Sequence, residues 1–451
     1  LNKTQYLIEE PIPKLIKELA IPASTGMFFN TMYNVVDTFY AGLISTEAIA
    51  ALSLSFMIYF LITGFGYGFS SAISALIGNS FGKKKNHLAS IYAHKGIGFL
   101  VILGVIFSIL GYFASPMLFK LLGATDAYLD ICLKYINVIL FGTIFFMANF
   151  ALNAILVSKG DTKTYRNSLI FGFFANLALN PLFMYGFWII PEMGIAGIAF
   201  ATVLVQFINM FYMLYKVLQT KIIHFDRLEY YLPNLRVYKA FFKQGIPSSL
   251  NMLTMAFGSI ILTYYVTQYG YKAVAGYGIG FRVEQLMLLP ALGLSTAVLS
   301  LVSNNYGAKQ FNRVKEIVML SLKYGFMIST FGIIFLYVFG KLIVAQFDDD
   351  ATVIDYGFNY LLVEVWIFYA YIILFICVST LQAIKQPKMI FYIGIYRQLI
   401  AKAIVSYIIV SYFKLDYIYL FVGMLLMIYS AAIFAYFYTM YKLRVLCNIR
   451  V

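Results

Sequence analysis

Charge is what this sequence has least of. Only 12% of its 451 residues are Asp, Glu, Lys or Arg, and 62% are hydrophobic; soluble chains carry roughly 25% charged residues. No layered water-soluble core hides that much apolar chain, so an ordinary soluble domain is excluded and the bilayer is the remaining solvent. Cysteine is scarce too. Cys132, Cys377 and Cys447 stand far apart, in or beside apolar runs. No C-x-x-C spacing exists and an odd count argues against a disulfide framework, so they read as buried, reduced thiols. His87, His94 and His224 are the only histidines. No HExxH, GxSxG or paired-acid signature stands out, so an enzyme is not expected. The first residues, with Lys3, Glu9, Glu10, Pro11, Pro13, Lys14, Lys17 and Glu18, contain no signal-peptide apolar core. They read as an amphipathic cytoplasmic lead-in to an uncleaved first span.

What is present is a series of long apolar runs. Segments of about 20 mostly apolar residues span a bilayer as helices, and such runs lie near 15–40, 48–80, 89–116, 128–157, 164–187, 194–217, 238–268, 272–305, 314–341, 352–382, 388–411 and 417–441. The expected fold is an all-α membrane protein of about twelve transmembrane helices. The net charge of +14 sits in short connectors rather than in one stripe, which fits positive-inside topology and excludes a nucleic-acid partner. Lys83-Lys84-Lys85, Lys159, Lys163, Arg166, the stretch Lys216 to Lys243, Lys309, Arg313, Lys315, Lys385 and Lys388 fall on one side. The opposite loops hold Lys120, Lys134, Lys272, Lys341 and Lys414 with most of the acid, including Asp348-Asp349-Asp350. Both termini and the 218–238 connector are therefore expected in the cytoplasm.

The chain repeats itself at one constant offset. Ile21-Pro22-Ala23-Ser24 recurs as Ile246-Pro247-Ser248-Ser249, Ser70-Ser71-Ala72 as Ser295-Thr296-Ala297, and Asn79 and Gly82 as Asn304 and Gly307. With an even number of spans per repeat, the halves enter the membrane in the same sense, as two parallel six-helix repeats related by an axis along the membrane normal. The expected organisation is an amino-terminal lobe over 1–217, a linker over 218–237 and a carboxy-terminal lobe over 238–451. Two-lobed arrangements of this kind suit alternating access.

Polar residues inside the runs are the candidate chemistry. Asp37 lies near the outer end of the first run, roughly 6–10 Å below the boundary at 1.5 Å per residue, and an intramembrane carboxylate marks an ion or substrate site by default. Its repeat mate is Leu262. Asn176 and Asn180 share one face of the fifth run, and Thr202 on the sixth reaches a similar depth. The second half carries Arg282, Glu284, Glu364, Arg397 and Lys402. Glu364 and Arg397 come out at one depth, where a mutual ion pair is the plain reading. Arg282 and Glu284, two apart, do not share a helix face. Lys95 and Lys323, nearer the cytoplasmic boundary, are expected to snorkel. Gly64-x-Gly66-x-Gly68 and Gly276-x-Gly278-x-Gly280 follow no strand and carry no GK[ST], so they read as close helix packing. Pro22 and Pro247 read as paired helix kinks.

At these residues the chain resembles multidrug and toxic compound extrusion (MATE) transporters, in the prokaryotic branch with an amino-lobe cation site. The resemblance rests on Ile21-Pro22, Asn34-Val35-Val36-Asp37-Thr38, Gly78-Asn79-Ser80-Phe81-Gly82, Gly160-Asp161-Thr162 and Asn176-x-x-x-Asn180-Pro181-Leu182. In the second half it rests on Phe281-Arg282-Val283-Glu284, Pro290-Ala291-Leu292-Gly293-Leu294-Ser295-Thr296-Ala297 and Asn305-Tyr306-Gly307-Ala308. It implies export of organic cations and drugs in exchange for inward H⁺ or Na⁺, with Asp37, Asn176, Asn180 and Thr202 as the ion or substrate site and as Na⁺ ligands if Na⁺ is the coupling ion. Asn180 departs from the pattern by standing where many relatives have an aspartate. The acid of another branch, on the seventh span, has no match in residues 246–268. Arg282, Glu284, Glu364 and Arg397 form a possible polar site of the carboxy-terminal lobe. We expect a monomeric antiporter of a prokaryotic cytoplasmic membrane, in contact with lipids and small organic cations and with no cofactor beyond the coupling ion. The alternative is a flippase for lipid-linked precursors from the same superfamily, which requires a strongly cationic cavity.

Overall fold

Backbone groups in hydrocarbon must be satisfied within their own segment, so apolar runs of this length become helices. The computed structural model describes residues 3–224 and 230–447, leaving 225–229 of the expected linker outside the described residues. Sixteen α-helices follow in chain order: α1 Lys3–Glu9, α2 Ile12–Ile44, α3 Thr46–Gly82, α4 Asn86–Leu121, α5 Asp126–Ser158, α6 Lys163–Tyr185, α7 Ile195–Gln219, α8 Leu235–Val266, α9 Tyr271–Met287, α10 Leu289–Gly307, α11 Phe311–Val344, α12 Ala351–Glu364, α13 Ile367–Ala383, α14 Lys388–Ile395, α15 Ala401–Ser406 and α16 Tyr417–Cys447. Two π-helical turns, Tyr396–Ile400 and Tyr407–Tyr412, interrupt the stretch from α14 to Tyr412. Among the described residues the only β feature is a bridge between Phe187 and Ile190.

Ten spans among the described residues are long and apolar enough to cross a membrane, and eleven when α12 and α13, bent by 53°, are joined. The expected first span, α2, is 33 residues long yet falls short of that apolarity, because Asn30, Asn34 and Asp37 lie along it. The polarity that makes this helix a candidate for function also lowers its hydropathy.

The chain forms two compact units. One runs from Thr25 to Ser249; the other combines the residues up to Ser24 with those from Leu250 onward. This division by packing does not fall at the linker. It falls just after Pro22 in α2 and just after Pro247 in α8, at equivalent positions of the repeat. Each proline removes a backbone donor from its helix interior.

In the first unit α5 is central. It packs against α3, α4 and α7, and 72% of its most apolar stretch is buried, against 17% for α4. Glycine permits the close approaches: a Cβ on Gly66 would overlap the Phe150 ring of α5, and one on Gly68 would overlap Ser249 of α8. In the second unit α13 packs against α10, α11 and α16, while α9 packs against α12. There Gly276 meets the backbone of Gly357 and Val353, and Gly280 meets the Tyr360 ring; Gly278 faces open space. Gly66, Gly68, Gly276 and Gly280 are packing contacts, as their setting in the sequence implies, and Gly278 is not.

Candidate functional site

α2, α6 and α7 bring four polar side chains to one point inside the first unit. Asp37 of α2 is 5% exposed, Asn176 and Asn180 of α6 are fully buried, and Thr202 of α7 is 4% exposed. The Asn176 Nδ2 donates to Asp37 Oδ1 at 2.5 Å, and the Asn180 Nδ2 donates to the same oxygen at 2.9 Å. The Thr202 hydroxyl donates to Asp37 Oδ2 at 3.1 Å.

Local sequence explains the convergence. Asn176 and Asn180 are one turn apart and so project from the same strip of α6. The α6–α7 connection is held tight by Gly186 and Gly194, both at positive φ, and by Gly197, whose missing side chain lets α7 close on the Phe183 carbonyl. Gly172, one turn before Asn176, lies against Val205 and the Tyr33 ring. Tyr33 lies one turn before Asp37 on α2 and is itself buried. Its proximity to the site was not read from the sequence, since a tyrosine within a span carries no signal of its own.

Burying an ionised carboxylate is tolerable only when partners replace its water, and three donors do so here. Both amides turn their nitrogens toward Asp37, which leaves Asn176 Oδ1 and Asn180 Oδ1 buried without partners. Rotating an amide about its last torsion exchanges its oxygen for its nitrogen. The four side chains can then present carboxylate, amide and hydroxyl oxygens together, the hard donor set of an alkali or alkaline-earth cation. With a proton on Asp37 instead, the carboxyl becomes a donor and the same amide oxygens can accept from it.

The second unit is arranged differently from the expectation. Glu284, Glu364 and Arg397 are all at least 95% buried, but Arg282 is exposed. The expected Glu364–Arg397 ion pair does not form. Arg397 sits in the first π-helical turn and lies 5.6 Å from the Tyr371 ring of α13. Counting depth along a regular helix cannot anticipate the rotation that a π turn introduces. The Glu284 carboxylate accepts from the Tyr360 hydroxyl, and Lys402 acts electrostatically on both Glu284 and Glu364. The Lys95 Nζ donates to the carbonyl of the exposed Leu232 at 2.8 Å. His94 is buried beside it, its Nε2 accepting from the His224 backbone N–H at 2.9 Å.

Comparison with known proteins adds to this geometry. The MatE family profile matches residues 22–182 and 247–408, one block in each repeat. The probable multidrug resistance protein YoeA of Bacillus subtilis is 26% identical over 72% of this chain and 70% of its own length. The FAD transporter of Shewanella oneidensis is 26% identical over 84% of both chains. A crystal structure of MATE in the straight conformation superposes with a TM-score of 0.92 at 23% identity, covering 100% of both chains, and shows the same two-lobed fold.

Proposed function

Since the chain belongs to the MatE family, we propose that it is a secondary antiporter that exports organic cations and drugs across a prokaryotic cytoplasmic membrane in exchange for inward H⁺ or Na⁺. The observation that carries this reading is the Asp37 cluster: a single carboxylate, fully enclosed, held by three donors and bordered by two unpartnered amide oxygens. Such a group can take up and release one small cation. Between those events its net charge changes by one, which gives a cationic cargo and a coupling cation a common reason to exclude each other. The multidrug name of the Bacillus subtilis relative supports organic cargo, and the flavin-transporting relative extends that cargo to aromatic ring systems. The alternation of basic and acidic loops supports cytoplasmic termini.

The test is transport in proteoliposomes under separate Na⁺ and pH gradients. Asp37→Asn keeps the side chain's size and should leave a folded protein whose gradient-driven efflux of a cationic dye falls to background. Among the described residues no other acid hydrogen-bonds within this cluster. A well-folded Asp37→Asn protein with efflux near that of the parent would falsify the assignment.

A further inference from the structure

The second unit holds a charge that the proposed cycle does not use. Arg397 is 5% exposed, and its Nε and Nη1 are buried with no hydrogen-bond partner. It enters none of the ion pairs among the described residues, and the ring of Tyr371 is the group that lies against it. An unmet buried donor is costly, and a cation within the bilayer more so. Water or a neighbouring acid ordinarily relieves that cost. Here the nearby acids are already engaged: Glu284 accepts from Tyr360, and Lys402 acts on Glu284 and Glu364 alike. Arg397 is the member of the cluster left unmatched.

Its surroundings point to a ligand. A guanidinium presents a planar fork of donors that fits the paired oxygens of a carboxylate or phosphate. The backbone carrying Arg397 is a π-helical turn, a rare departure from the α-helix that occurs frequently at functional sites. Tyr371 offers an aromatic face beside the fork. Tyr360, which donates to Glu284, packs edge to face against Tyr277 and Phe421.

We propose that Arg397 is an anion-accepting subsite of the carboxy-terminal repeat that takes the carboxylate or phosphate of an aromatic or amphiphilic molecule. This subsite is independent of the Asp37 reading, and either can fail without the other.

The experiment is equilibrium binding to the purified full chain in detergent, using flavin mononucleotide as probe and riboflavin, the same ring without the phosphate, as control. The parent should bind the phosphorylated probe about tenfold or more tightly than riboflavin, the scale of charge-assisted hydrogen bonds. Arg397→Gln should abolish that preference, Arg397→Lys should retain part of it, and Asp37→Asn should leave it unchanged. Short-chain phosphatidylglycerol is a second arm. Displacement of the probe by this lipid, but not by phosphatidylcholine, would identify a lipid phosphate as a competing source of the same chemistry. Should Arg397→Gln fail to fold, thermal protection of the parent by the phosphorylated probe over riboflavin, or by phosphatidylglycerol over phosphatidylcholine, still decides. Absence of any preference for the anionic member of either pair, or a preference that persists in a folded Arg397→Gln protein, overturns the proposal.

Discussion

At Asp37 the amides of Asn176 and Asn180 converge on one carboxylate oxygen while Thr202 takes the other, so each substitution there removes a different part of the enclosure. Asn180→Asp deletes the donor at 2.9 Å and places a second carboxylate one turn from Asn176. Neighbouring carboxylates bind protons as a coupled pair, so this variant should alter the Na⁺ and pH dependence of efflux and leave the ranking of drugs nearly unchanged. Identical ion profiles in variant and parent would remove Asn180 from the ion site. Thr202→Val keeps the shape and loses one hydroxyl. The expected loss is about 1 kcal/mol, or roughly fivefold in coupling-cation affinity, with efflux at saturating cation little affected. Residues of this kind were legible in the sequence because a charge or an amide pair inside an apolar run has few structural uses. Tyr33 was not, since an aromatic ring in a span is ordinary. Glu364 and Arg397 show the other limit: depth is one coordinate of a helix and rotation is the second, and a π turn changes the second without a mark in the residue pattern.

Among helices, glycine sets which pairs touch. Gly276 of α9 approaches the Gly357 backbone N and the Val353 carbonyl of α12 so closely that a Cβ would come within 2.7 Å of each. Backbone cannot yield as a flexible side chain can. Gly276→Leu should therefore destabilise the second unit by about 1–3 kcal/mol, the scale of overpacking. Gly278→Leu, with nothing within 4 Å of the added Cβ, should be near neutral; comparable losses of thermal stability in the two variants would contradict this account. The linker shows what long-range pairing adds. His94, deep in α4, receives the His224 N–H, and Lys95 beside it reaches Leu232. His94 and His224 are far apart in sequence, and nothing in their spacing announces the contact. His94→Ala should loosen residues 222–224, so limited proteolysis there should run several-fold faster than in the parent while cleavage elsewhere is unchanged. Equal rates would mean that the histidine does not hold the linker.

For the molecule as a whole, the repeat tells which residues correspond and leaves open which ones pack together. The division after Pro22 and Pro247 lies inside single spans at the two positions the sequence marks as kinks, and tertiary packing shows that the units part there. Function at this scale depends on linkage between ligands. A transporter with two conformations responds to a ligand only through that ligand's differential affinity for them. If Asp37 is the one negative centre that both the coupling cation and an organic cation require, each must weaken equilibrium binding of the other by one common factor, whether they meet at the site or act through the conformational change. The measurement is binding of a fluorescent organic cation to the purified protein, titrated against Na⁺ and against pH, in parent and Asp37→Asn. Dye affinity should fall as Na⁺ rises or as pH drops, according to the coupling ion. In Asp37→Asn the dye should bind more weakly and the ion dependence should vanish. A precursor flippase would behave differently, binding anionic lipid analogues through Arg397 and Lys402 with no dependence on Asp37. Dye binding that neither ion alters, together with displacement by anionic lipid analogues in both proteins, would replace the antiporter reading with that one.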